Sequence, residues 1–175
     1  VCKSSASLSI INTETGTLEN TVMLPYGSWP SAIVIDQTLN QAYIALQAKD
    51  EFIALSLTDF SITQRSTVLN EPNNMVLDPI NGKLYLAHFI SPETAGKVSV
   101  INTSNFAVEQ VIDLAIDTTP DGADNGRGLP NYLGALAISP DYKQLYIPSK
   151  KDNIERGRWR DGNDLSFEHT VRSIA

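Results

Sequence analysis

At 175 residues, 42% hydrophobic and 19% charged, the chain is long enough to bury a core as one domain and too apolar for global disorder. Its net charge of −7 argues against a binder of phosphate backbones, which would carry a basic footprint. Cys2 is the single cysteine, which excludes an internal disulfide, a CxxC metal pair and a CxxCH haem attachment, and no run approaches the roughly 20 apolar residues of a membrane-spanning helix.

In chain order, every regular segment reads as a strand. LSIIN from Leu8 and TVMLP from Thr21 flank the turn NTETGT, and an irregular stretch, LPYGSWPS at 24–31, follows. Then comes a phrase written three times: SAIVIDQTLNQAYIALQ, NNMVLDPINGKLYLAHF and GALAISPDYKQLYIPSK. In each copy an apolar run ends at Asp36, Asp78 or Ser139, a polar turn follows, and Tyr43, Tyr85 or Tyr146 opens a second apolar run. Asn81-Gly82, in the second copy, is the strongest short hairpin signal. Third strands follow at Phe52 and Val98, and fourth strands at RSTVL and VEQVIDL.

The runs are too short for helices and rich in Val, Ile, Leu and Tyr, so each unit is four antiparallel strands. Units of this size with no helical period describe the blades of a β-propeller. Tyr43 and Tyr85 stand 42 residues apart, a blade's length; Tyr85 and Tyr146 stand 61 apart, so that unit holds an insertion. Val1-Cys2-Lys3 aligns with the middle of a blade, and FEHTVRSIA aligns with fourth strands. The expectation is one domain over 1–175, an all-β propeller segment of about three and a half blades belonging to a larger propeller.

The segments Leu84-Tyr85-Leu86-Ala87, Lys97 to Thr103, and Ser139-Pro140-Asp141 with Tyr146-Ile147 resemble the bacterial YVTN family of propeller repeats, although Asn12 and Asn102 stand where that family often has aspartate. A narrower stretch, GRGLPNYLGALAISPD from Gly126 with PSKKDNIERGRWRDGNDLSFEHTVRSI from Pro148, is similar to propellers that accompany di-haem cytochrome c peroxidase-like (MauG-like) regions. This second resemblance implies an exported, periplasmic or extracellular protein with a redox partner. Haem would belong to a larger parent protein, since this chain has no haem motif.

Antiparallel strands reverse at every turn, so the connections sort onto two faces. First-to-second and third-to-fourth turns are short and uniform. The other face collects 24–31, 69–74, 88–97, 118–134 and 148–153, and long loops on a rigid scaffold are where binding resides. Candidate contacts for a protein or small-ligand partner there are Trp29, His88, Asp121, Asp124, Arg127, Tyr132, Lys150 and Lys151. Trp29 is either a pocket aromatic or a plug between blades. Asp121 and Asp124, among glycines, suit either Ca²⁺ or a solvated turn, and their spacing is not that of an EF-hand. His88 and His169 lack a second nitrogen or sulfur ligand nearby and read as structural or surface residues.

Lys150, Lys151, Arg156, Arg158 and Arg160 surround Trp159 as the one basic patch, suited to an acidic protein; strand alternation would place the three arginines on one solvent-facing side. No nucleophile elbow, P-loop, HExxH or triad spacing appears, so no catalytic residue is assigned. The sequence favours a binding or scaffolding module. Its rivals are the propeller part of a haem-dependent peroxidase or oxidase, and a surface-layer or adhesion repeat protein.

Overall fold

The computed structural model describes residues 1–120, 126–165 and 171–174, the last four as backbone alone. Blade I contributes β1 (Ser7–Ile11) and β2 (Leu18–Met23). Blade II is β3 (Pro30–Asp36), β4 (Gln41–Leu46), β5 (Glu51–Ser56) and β6 (Ile62–Thr67), with a 3-10 turn at Gln47–Lys49. Blade III is β7 (Pro72–Asp78), β8 (Lys83–His88), β9 (Ala95–Asn102) and β10 (Val108–Ala115). Blade IV holds β11 (Leu129–Asn131), β12 (Ala137–Ile138), β13 (Leu145–Tyr146), β14 (Ser149–Asp152) and β15 (Val171–Ile174). Blades II and III are four-stranded antiparallel sheets in the expected order, so the chain is an all-β propeller segment without a closed ring among its described residues. No described helix is long and apolar enough to cross a membrane.

The repeated phrase is a turn device. Asp36 Oδ1 accepts the N–H groups of Thr38 and Leu39 at 2.9 and 3.0 Å, and Asp78 Oδ1 accepts that of Asn81 at 2.9 Å. Ser139 Oγ performs the same service for Lys143 and Gln144 at 3.2 and 3.0 Å. These side chains satisfy donors that a tight turn leaves without ladder partners. Gly82 sits at φ 61°, the left-handed conformation that its hairpin requires.

First strands of successive blades lie side by side: β3 packs along β7, and β7 against β12. Those strands therefore line the axis, while β2, β6 and β10 form the exposed rim. The middle strands are covered on both sides by neighbouring blades, which is why AYIAL and FIAL are nearly continuous apolar runs. Alternation divides their side chains. Tyr43, Ala45, Phe52 and Ala54 pack against Met75, Leu84, Leu86, Ile101 and Phe106 of blade III. Ala42, Ile44, Leu46, Ile53 and Leu55 pack the other way, against Leu8 and Leu24 of blade I. A third cluster joins Ala87 and Val98 to Leu133 of blade IV.

The tyrosines of the phrase follow this geometry. Tyr43 is fully buried between blades II and III; burial, reinforced by the nearby Asp36 charge, pushes its pKa up to about 12. Tyr85 is partly buried between blades III and IV. Tyr146 is 55% exposed and donates its hydroxyl proton to Gln144 Oε1 at 2.8 Å.

Blade IV departs from expectation in three ways. Its second strand is split around Pro148, which has no N–H for a ladder: β13 pairs with β12, and β14 pairs with β11. Lys150 and Lys151 consequently lie on a strand rather than in a loop. The last strand, β15, pairs with β14 and so takes third place in the sheet, not fourth. Arg156, Arg158 and Arg160 are not on a strand either. The N–H groups of Arg160 and Asp161 bond Gly157 O, and Asp161 Oδ1 accepts the Gly157 N–H, folding the segment into turns. Asp164 then binds Arg158 Nε through its carboxylate and Arg156 Nε through its carbonyl, both at 2.8 Å.

Candidate functional site: the irregular loop face

The same backbone strain recurs at one position in three blades. Trp29, Glu71 and Tyr132 each adopt a left-handed conformation, with φ of 49°, 52° and 51°. Each stands seven residues before the turn-forming Asp36, Asp78 or Ser139, at the entry to an axis-lining strand. A left-handed conformation costs a non-glycine residue roughly 1–2 kcal/mol, and glycine or asparagine would meet the geometry more cheaply. The chain instead places a tryptophan, a glutamate and a tyrosine there. The short turns of the opposite face also hold left-handed residues, at Asn40, Phe60, Phe106 and Tyr142.

A second set lies beside the first, four residues after the repeat tyrosines: Gln47, Phe89 and Lys150. The Gln47 N–H donates to Trp29 O at 3.1 Å, and the Phe89 N–H to Glu71 O at 2.9 Å. In blade IV, Lys150 pairs across the ladder with Asn131, the neighbour of Tyr132. The two sets meet across the boundary between blades III and IV. The Phe89 ring stands edge-on to Tyr132 with centroids 5.2 Å apart, and Lys150 Nζ lies 5.0 Å from the Tyr132 centroid. Tyr132 is 38% exposed, so the pair remains open to a partner.

This junction is pinned from below. Ser91 donates its hydroxyl to Pro130 O at 2.7 Å, and its N–H to Asn131 Oδ1 at 2.8 Å. Asn131 Nδ2 donates in turn to Asp152 Oδ2 at 2.8 Å. Farther along, Asn74 Nδ2 reaches Leu133 O at 3.4 Å, and Ser31 Oγ donates to Pro72 O at 2.9 Å between blades II and III. The insertion of blade III, at 89–94, is thus tied to blade IV.

Lys151 has a different place from Lys150. It is 9% exposed, and its ammonium bonds both Asp117 Oδ2 and Gly126 O. Asp117 and Gly128 also exchange backbone hydrogen bonds, so the 118–127 loop leaves the sheet through a closed neck. The ammonium, helped by Thr119, holds the Asp117 carboxyl well below the usual carboxylate range. A Cβ on Gly128 would come within 2.6 Å of Lys151 Cγ, so only glycine fits there without displacement. Arg127, at the same neck, pairs with Glu155 at 3.2 Å.

His88 is 1% exposed; its Nδ1 bonds Asn70 O and its Nε2 bonds Ser99 Oγ, each at 2.9 Å. Burial pushes its pKa down. With both nitrogens engaged it offers no ligand to a haem or metal; it anchors the 69–71 connection beneath Glu71. Trp29 is 54% exposed and joins none of the inter-blade cores. Asp121, Asp124 and His169 lie outside the described residues. Among those described, no three His, Cys, Asp or Glu residues are grouped to hold a metal ion.

Trp29, His88, Arg127, Tyr132, Lys150 and Lys151 all fall on or beneath one face, but in three places: the axis mouth, a buried anchor and the loop neck. Glu71, Phe89, Ser91 and Asn131 escaped the sequence reading. Aligning the three copies would have found Glu71 and Phe89, because they occupy the positions of Trp29 or Tyr132 and of Lys150. No sequence signal marks Ser91 and Asn131, whose bond joins residues 40 apart in the chain.

The fold and its mouth define a β-propeller module. Among solved structures the chain is similar to Kuenenia stuttgartiensis hydrazine synthase, with a TM-score of 0.62 and 14% identity over 98% of this chain and 56% of that one. It is also similar to Saccharomyces cerevisiae Sqt1, with a TM-score of 0.52 and 12% identity over 71% of this chain and 35% of that one. The chain therefore spans about half or less of either structure's length, and at these identities the likeness concerns fold alone. No protein-family model and no curated protein sequence matches.

Proposed function

We propose that this chain is a binding module that presents the mouth of its irregular face to a protein partner. The observation carrying this reading is the repeated strand-entry position, which leaves Trp29 and Tyr132 exposed at equivalent places in blades II and IV. The open Phe89 and Tyr132 pair beside it supplies rigid aromatic contact area, the usual anchor of a protein interface. The resemblance to propellers that accompany MauG-like regions adds the expectation that the protein is exported. Catalysis has no residues assigned to it on this reading.

The test is a selection. Random peptides displayed on phage are enriched on the wild-type chain and then assayed on a Phe89→Ala/Tyr132→Ala variant with unchanged thermal stability. Enriched peptides should lose most of their binding to the variant. Equal binding to both proteins would refute the assignment of this mouth.

A further inference from the structure

Four residues are linked in turn across the boundary of blades III and IV, the first pair through the main chain and the others through their side chains. The Glu71 carbonyl bonds the Phe89 N–H, the Phe89 ring meets Tyr132 at 5.2 Å, and the Tyr132 ring meets the Lys150 ammonium at 5.0 Å. The row thus reads acid, aromatic, aromatic, base. Among the described residues neither Glu71 nor Lys150 has an ion-pair partner. Two other cations of this face are paired, Lys151 with Asp117 and Arg127 with Glu155. Asp50 adds to the negative end, because its Oδ1 accepts the Glu71 N–H at 2.8 Å. Glu71 and Tyr132 both adopt the left-handed backbone conformation.

We propose that this row reads a polypeptide segment in which an apolar side chain is flanked by a cation on one side and an anion on the other. The apolar group lies on Phe89 and Tyr132, the cation faces Glu71, and the anion faces Lys150. The inference rests on the binding reading above and names the partner chemistry for the same mouth. Opposite unpaired charges at the two ends select a dipolar segment, and like charges there would be repelled at one end.

The experiment uses three synthetic heptapeptides with a central tryptophan: one flanked by lysine and glutamate, one by two lysines, one by two glutamates. Binding is read by fluorescence anisotropy on the wild type, Glu71→Lys, Lys150→Glu and Phe89→Ala. The mixed peptide should bind the wild type about tenfold more tightly than either like-charged one. Glu71→Lys should shift the preference to the glutamate-flanked peptide, and Lys150→Glu to the lysine-flanked peptide. If all three bind alike to wild type and charge variants but weaken on Phe89→Ala, the charge reading is overturned while the binding face stands. If binding is indifferent to Phe89→Ala, both fall.

Discussion

Phe106 stacks on Phe52 with ring centroids 4.1 Å apart, although the two belong to different blades. Phe106 sits in the third-to-fourth turn of blade III at φ 61°, and this conformation turns it back into the core shared with blade II. Phe60 holds the equivalent position in blade II at φ 60° and packs towards blade I. Replacing Phe106 with alanine should cost about 3–5 kcal/mol in urea unfolding. Phe60→Ala should cost less, because its site is only partly buried. Equal small losses would show that the two turns do not staple the blades together.

Asp36 tests the turn device. It is 3% exposed and serves two backbone donors that have no other use in the turn. Asp36→Ala should destabilise the chain by about 0.5–1.5 kcal/mol, because the turn loses its acceptor while water can reach the N–H groups of the exposed Thr38 and Leu39. Asp36→Asn, which keeps an acceptor oxygen, should recover most of that. Equal losses from both substitutions would mean that the carboxylate charge, rather than the turn, is what matters.

His88 gives a pH signature. Burial lowers its pKa below the ordinary 6.5, so the folded state favours the neutral ring. Above about pH 6.5 its contribution is complete. As the pH falls from there towards the folded value, the unfolded chain takes up a proton that the folded chain does not, and stability is lost. Urea midpoints measured between about pH 7.5 and 5.5 should fall for the wild type and flatten for His88→Gln. A wild-type midpoint that stays level across this window would contradict the buried neutral assignment.

Lys151 closes the neck of the 118–127 loop. Lys151→Met removes the ammonium from Asp117 and Gly126 O while keeping the side chain's bulk. Trypsin should then cleave after Arg127 several-fold faster than in the wild type, as the neck opens more often. Unchanged cleavage would assign the closure to the Asp117 and Gly128 backbone bridge alone.

The parts of this molecule legible in its sequence are those decided locally. Asp36, Asp78 and Ser139 cap turns within a few residues of themselves, so the strands they bound could be read directly, and with them blades II and III. Blade IV resisted because Pro148 interrupts its second strand, and the pairing of Ser149–Asp152 is settled by distant segments. The alternation read into Arg156, Arg158 and Arg160 failed because Asp161 and Asp164 offer closer partners than a neighbouring strand. The irregular face was visible as loop lengths, but its aromatic junction was not. Phe89 and Tyr132 meet only because one blade stands beside the next.

The central claim is that ligands meet this chain at the mouth built by Trp29, Glu71, Phe89, Tyr132 and Lys150. Amide chemical-shift mapping of a phage-selected peptide on the labelled protein tests it most directly. The account predicts perturbations concentrated at residues 28–30, 70–74, 89–92, 130–132 and 150. Perturbations concentrated instead on the turns at 37–40, 79–82 and 104–107 would place binding on the opposite face and contradict it.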